Sequence, residues 1–146
     1  MKLIAQNKRA GFDYFLKEFI EAGLVLQGTE VKSLRAGKVV FNDSFVGFDR
    51  AGEAWLYNMS IGHYEFGNRA NHEENRRRKL LLKKSEINDL AHRLKAEGLT
   101  LIPTKIYFKD SCVKIELALA KGKKLYDKRQ SEAKKDAEKK LRKKEY

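Results

Sequence analysis

In the last third of the chain, apolar and polar positions alternate with the period of two that marks a half-buried strand. Val113, Ile115, Leu117 and Leu119 fall on one face, and Lys114 and Glu116 on the other, within a predicted strand from Cys112 to Ala120. Leu99 to Lys109 reads as its partner, with Asp110-Ser111 as the turn between them. Ser44 to Asp49 and Glu53 to Ile61 are rich in Phe, Val, Trp and Tyr, and Asp49-Arg50-Ala51-Gly52 predicts a hairpin loop joining them. Leu80-Leu81-Leu82, flanked by basic residues, predicts a short buried strand. Two stretches carry helical spacing instead. Ser85 can cap a helix with the apolar stripe Ile87, Leu90, Ala91 and Leu94, stopped at Gly98. Thr29 can cap a shorter helix from Glu30 to Ala36, stopped at Gly37. Between Phe12 and Leu26 the pattern is ambiguous. Phe12, Phe15, Leu16, Phe19 and Ile20 fit a helix, and a long strand is the competing reading. Short strands, hairpins and one internal helix together predict a small Greek-key barrel of the OB type.

Charge changes that picture by dividing the chain. The 146 residues carry 32 Lys+Arg against 20 Asp+Glu, a net charge of +12, which points to a polyanionic partner, nucleic acid before membrane. Residues 121–146 hold 12 basic and 5 acidic side chains, a net +7, whereas the first 120 hold only +5. The chain thus separates into a body and a basic tail. The tail has helix-forming composition and i,i+4 pairs from Asp136 to Lys140 and Glu138 to Arg142. Its apolar stripe of Ala133, Ala137 and Leu141 is too thin to dock on a core, so an arm that folds on a polyanion competes with a plain solubilising tail. Within the body a second basic knot centres on Arg76-Arg77-Arg78-Lys79.

Catalytic signatures are absent: no phosphate-binding glycine loop, nucleophile elbow or H-E-x-x-H pattern occurs. His63, His72 and His92 are scattered; His72 beside Glu73 and Glu74 fits a solvated loop better than a metal site. The single Cys112 suits a reducing compartment, and its place in an apolar strand predicts a buried small hydrophobe. No catalytic residue, metal or cofactor is expected.

Asn7-Lys8-Arg9-Ala10, Glu21-Ala22-Gly23 and Gly28 to Lys38 resemble the opening of the small protein B (SmpB) family, which binds transfer-messenger RNA. Gly67-Asn68-Arg69, Arg76 to Leu82, Gly98 to Lys109 and Ala120 to Arg129 extend the likeness in order. The resemblance implies a mainly β, OB-fold-like closed barrel of about six strands with two or three short helices over residues 1–121. A basic tail over 122–146 follows, disordered when free and helical on the ribosome. It makes residues 14–26 a long bent strand, against the helical periodicity.

The implied function is that of a monomeric, cytoplasmic, non-enzymatic adaptor of trans-translation. It would bind the tRNA-like domain of transfer-messenger RNA and, with alanyl-transfer-messenger RNA and elongation factor Tu, enter ribosomes stalled on messages lacking a stop codon. The tail would occupy the empty mRNA channel beyond the small-subunit decoding centre. The RNA-binding cluster falls on Glu21, Leu81 and Lys114, with Asn7 and Lys8 nearby. Lys114 suits a phosphate, and Glu21 suits a ribose hydroxyl or base amine. A surface salt bridge for that pair and core support for Leu81 remain open alternatives. Arg76, Arg78 and Lys79 would add phosphate attraction. For Glu30, a favourable place in the first turn of a helix is sufficient reason. Gly122 would be the hinge of the tail, followed by Lys123, Lys124, Tyr126, Asp127, Lys128 and Arg129 as its decoding-centre portion. Phe12 departs from the family, which usually has His there, and Lys83 stands where many members have His. The alternatives are a ribosomal or rRNA-binding OB protein acting without transfer-messenger RNA, and a single-stranded DNA binder.

Overall fold

A computed structural model describes residues 1–66, 71–123 and 129. Its longest hairpin joins β8 (Thr100–Lys109) to β9 (Cys112–Gly122) through Asp110 and Ser111, whose φ values of 51° and 64° are the left-handed pair that a two-residue turn needs. Val113, Ile115, Leu117 and Leu119 all enter the main core, as their alternation predicts. Cys112 does not: it is exposed at the turn, where β9 has barely begun. On its outer side β8 pairs with β1 (Lys2–Gln6).

The ambiguous segment is a strand, β2 (Tyr14–Leu24), antiparallel to β9 along almost its whole length. Its misleading periodicity has a physical cause. The register shifts between Leu16 and Glu18, so Lys17 is the extra residue of a β-bulge. Leu16 lies opposite Ala120 and Phe19 opposite Ala118, two residues of one face of β9. The bulge thereby puts side chains three apart on the same side, which mimics a helix. The helix α1 (Ala10–Asp13) precedes β2, and its buried Ala10 packs with Ile102 and Ala120.

At its far end β2 pairs with β7 (Arg78–Leu81), followed in the sheet by β5 (Ala54–Tyr57) and β4 (Phe45–Phe48). The main sheet is antiparallel throughout, in the order β1-β8-β9-β2-β7-β5-β4, and it curls until β4 lies against β8. Seven strands thus form the barrel instead of about six. The strand predicted from Glu53 to Ile61 breaks at Asn58, whose φ is 66°. Beyond the break, β6 (Ser60–Ile61) leaves the barrel to pair with β3 (Val39–Val40). The predicted 49–52 loop is present: Asp49 accepts the Glu53 N–H at 2.9 Å, and Gly52 takes φ 78°.

Both predicted helices form, but neither is capped as expected. In α3 (Lys84–Glu97) Ser85 is already inside the helix, and the Glu86 carboxylate accepts the Lys83 N–H at 3.0 Å. Gly98, at φ 64°, ends it as predicted. In α2 (Gly28–Arg35) the Glu30 carboxylate accepts the Gln27 N–H at 2.8 Å. Thr29 turns away to His72, with Oγ1 2.9 Å from Nδ1. His72 is therefore no solvated-loop residue. It is 3% exposed, and its Nε2 lies 2.8 Å from the Ile61 carbonyl. A carbonyl only accepts, so Nε2 carries a proton and donates to it. Among the described residues no group of His, Cys, Asp and Glu could hold a metal ion, and no helix could cross a membrane.

Glu30 does far more than favour a helix end. It is fully buried, its Oε2 accepts from Arg78 Nε at 2.5 Å, and its Oε1 accepts from both Nε and Nη2 of Arg76. The buried Arg78 also donates to the carbonyls of Met59 at 2.6 Å and Glu74 at 2.9 Å. Burial pushes the Glu30 carboxyl up, but the donors from Arg76, Gln27 and Arg78 outweigh it and hold the group below the ordinary 4.5. Glu30→Gln leaves the arginines uncompensated and should cost about 3–5 kcal/mol in denaturant unfolding. Since the native value lies below the unfolded one, the stabilisation is complete above about pH 4.5 and lost as pH falls through the native value. The difference between wild type and variant should therefore shrink on acidification; a gap independent of pH would contradict this account.

Candidate nucleic-acid interface

The outward face of the barrel is fixed by strand register. Gly23 on β2 lies opposite Lys114 on β9 and Leu81 on β7, and Lys114 in turn lies opposite Tyr107 on β8. Two residues earlier on β2, Glu21 shares this face and lies opposite Glu116. Gly23 matters through what it lacks. A Cβ there would stand 3.2 Å from Leu81 Cδ1 and 3.6 Å from Lys114 Nζ, so both side chains fold over the glycine. The predicted residues Glu21, Leu81 and Lys114 are thus neighbours. Leu81 is 56% exposed, which removes core support as its explanation. Leu80 and Leu82 supply the apolar packing instead.

Glu21 is held as an anion. Tyr107 donates its hydroxyl to Oε2 at 2.5 Å, and Lys109 Nζ lies 3.3 Å from the same oxygen. The tyrosine hydrogen bond lowers the carboxyl pKa most; burial opposes it, and Lys109 and then Lys114 add attraction. The Tyr107 hydroxyl is displaced strongly upward, first by burial and then by the Glu21 carboxylate it serves. The alternative of a Glu21–Lys114 salt bridge is not realised: Lys109 makes that pair instead. Lys114 forms no hydrogen bond or ion pair with any described residue. Sequence reasoning missed Tyr107 and Lys109. The signal was their position in the apolar β8, where one strand face must look outward.

Asn7 and Lys8 lie at the end of β1. The Asn7 backbone N–H donates to the Thr104 carbonyl at 2.7 Å and its Nδ2 to the Pro103 carbonyl at 2.9 Å, which fixes the amide. Both residues line a groove of about 430 Å³ with Phe19, Lys105 and Glu116, leading toward the Glu21 face.

The basic knot requires correction. Arg78 is fully buried on Glu30, and Arg76 is turned to the same carboxylate, so neither is disposed to hold phosphate. Lys79 is partly exposed but pairs with Glu53 at 3.2 Å. Gly122 is not a hinge. It closes β9 opposite Tyr14, and Lys123 continues the attachment, its N–H donating to the Asp13 carbonyl and its Nζ to that of Gly11. Gly122 and Lys123, placed in the tail by the expected boundary at 121, are both attached to the body. Arg129 is exposed. Lys124, Tyr126, Asp127 and Lys128, like the Gly67-Asn68-Arg69 motif and residues 130–146, lie outside the described residues.

A protein-family model described as SmpB protein matches residues 4–145. The chain is 56% identical to the SsrA-binding protein of Pelobacter propionicus over 140 residues, covering 96% of this chain and 91% of that one. It is 54% identical to the SsrA-binding protein of Carboxydothermus hydrogenoformans over 142 residues, covering 97% and 95%. A solved structure described as "tmRNA-SmpB: a journey to the center of the bacterial ribosome" superposes with a TM-score of 0.69 at 50% identity, over 83% of this chain and 85% of that one.

Because Tyr107 contributes most to lowering the Glu21 pKa, Tyr107→Phe should move the carboxyl upward toward the ordinary 4.5 without unfolding the barrel. Carboxyl-carbon NMR titration measures this directly. An unmoved Glu21 would mean that the lysines, not the tyrosine, hold it ionised.

Proposed function

The chain belongs to the SmpB family, and on that premise we propose that it is a non-enzymatic RNA-binding adaptor of trans-translation. Its barrel binds the tRNA-like domain of transfer-messenger RNA and delivers it to ribosomes stalled on messages without a stop codon. One observation carries the reading at residue level: an unpaired ammonium, an ionised carboxylate and an exposed leucine lie together across Gly23. Lys114 contacts a phosphate, a charge-assisted contact independent of sequence. Glu21, acceptor-only and already oriented by Tyr107, takes a ribose 2′-hydroxyl or a base amine. Leu81 covers an apolar part of the RNA surface. Asn7 and Lys8 extend the contact along the groove.

The remaining assignments follow the family. The basic segment beyond Lys123, with Lys124, Tyr126, Asp127, Lys128 and Arg129 at its start, occupies the small-subunit decoding centre and the empty mRNA channel. The protein acts as a monomer in the cytoplasm and travels with alanyl-transfer-messenger RNA and elongation factor Tu. Each step is recognition, with no covalent bond made or broken by this chain. A purely ribosomal role without transfer-messenger RNA is not favoured, because the relatives are named for SsrA binding.

Binding to the tRNA-like domain and to an unrelated hairpin RNA, compared at physiological salt, tests the reading; equal affinity for both would end it. Lys114→Ala should weaken binding roughly tenfold and lower the salt dependence by about one counterion. A chain ending at Lys123 keeps every ladder contact of β9. It should bind the RNA as wild type yet fail to support peptide tagging on a stop-less message in a reconstituted system. Loss of RNA binding in that shortened chain would instead make the tail an RNA anchor.

A further inference from the structure

The strand period of two divides the run Arg76-Arg77-Arg78-Lys79 between two faces. Arg76 and Arg78 turn inward to Glu30, whereas Arg77 and Lys79 turn outward. Arg77 is exposed, and its guanidinium carbon stands 4.0 Å from the centre of the Trp55 ring. Trp55 is itself fixed, its Nε1 donating to Asp49 Oδ2 at 2.8 Å. The Arg77 side chain donates no hydrogen bond to any described residue. A cation is thus held over the face of an oriented indole, its donors unused by any described residue.

Beside it on the same face lies a second aromatic pair. Gly47 is opposite Trp55, and a Cβ on Gly47 would meet a Tyr57 ring carbon at 2.8 Å. Only glycine lets Tyr57 lie down across the strand. Phe45 stacks on Tyr57 with ring centres 5.3 Å apart and planes within 17°, and it remains 39% exposed. Parallel stacking that ends in an exposed ring is what an unpaired base can continue. An acidic peptide could use Arg77 but would gain nothing from the flat rings.

We propose that the β4–β5 face is a second RNA-contact surface, which takes unpaired nucleotides with Arg77 on a backbone phosphate and a base stacked on Phe45. It stands independently of the Glu21–Lys114 assignment. Arg77, immediately before β7, is four residues from Leu81, roughly 13 Å at strand rise, so one RNA can reach both places.

Trp55 is the only tryptophan of the chain, so its fluorescence reads this face directly. Titration of the full chain with oligoadenylate RNA should give a saturable change in Trp55 emission. Arg77→Gln and Phe45→Leu, which keep most of the side-chain bulk, should each weaken it by at least about fivefold. Arg77→Gln should also reduce the salt slope by about one. Lys114→Ala should leave the oligoadenylate response within about twofold, as expected of a separate site, while weakening the tRNA-like domain. That contrast keeps failure of this proposal distinct from failure of the first. An absent response, a response that both face variants retain, or equal competition by an oligoglutamate peptide would overturn it.

Discussion

Everything on the outer face depends on the buried charge cluster of Glu30, Arg76 and Arg78. A carboxylate and a guanidinium removed from water cost several kcal/mol each unless their bonding capacity is filled. Here it is filled by two arginines and the Gln27 N–H on one side, and by the Met59 and Glu74 carbonyls on the other. Those partners come from α2, from the turn between β5 and β6, and from the segment leading into β7. The cluster ties these elements together and fixes which side of β7 faces inward. Once Arg78 and Leu80 are inside, alternation leaves Arg77, Lys79 and Leu81 outside. A one-residue slip of β7 would bury Leu81 and expose Arg78, exchanging the binding face for the core.

The cluster also explains why net charge was a poor guide to the site. Cations cluster in the sequence around residues 76–79, yet most there are matched: Arg76 and Arg78 with Glu30, Lys79 with Glu53. On the barrel wall Lys109 pairs with Glu21, Lys105 with Glu116, and Arg93 with Glu18. Exposed pairs of this kind contribute little to stability, but they neutralise part of the charge around Lys114 and Arg77. Neither of those two side chains makes an ion pair with a described residue. Local neutralisation limits indiscriminate attraction to nucleic acid, so recognition rests on placement.

Much of the fold was legible in the sequence where one periodicity was uninterrupted. The alternation from Val113 to Leu119, the turn at Asp110-Ser111 and the stop at Gly98 each follow from local chemistry, and the structure has all three. What was hidden involves contacts between distant residues. The bulge at Lys17 depends on the partner strand, and without it Leu16 and Phe19 read as a helical face. Thr29 is an ordinary cap candidate until His72, 43 residues away, claims its hydroxyl. Glu30 looks like a first-turn acid because nothing local announces two arginines more than forty residues later. At the site, Glu21 and Lys114 were legible as charges in apolar strands, assigned by the family motif. Tyr107 and Lys109 were not, because their role exists only once β8 and β2 flank β9.

The same contrast bears on how an RNA surface can be built on a curled sheet. Backbone groups inside the sheet are spent on the strand ladders, so recognition there comes from side chains standing on the outer pleat. Two glycines shape that pleat. Gly23 lets Leu81 and Lys114 close over β2, and Gly47 lets Tyr57 lie flat beneath Phe45. In each case the missing side chain lowers the strand surface and brings a residue from a neighbouring strand across it. A substituted Cβ at Gly47 would meet the tyrosine ring at 2.8 Å, closer than packing allows, while at Gly23 it would meet Leu81 at 3.2 and 3.4 Å and the Lys114 ammonium at 3.6 Å. The aromatic face thus admits no side chain at its glycine. A flat ring seated in this way suits stacking, while the long lysine side chain suits a phosphate backbone whose path it can follow.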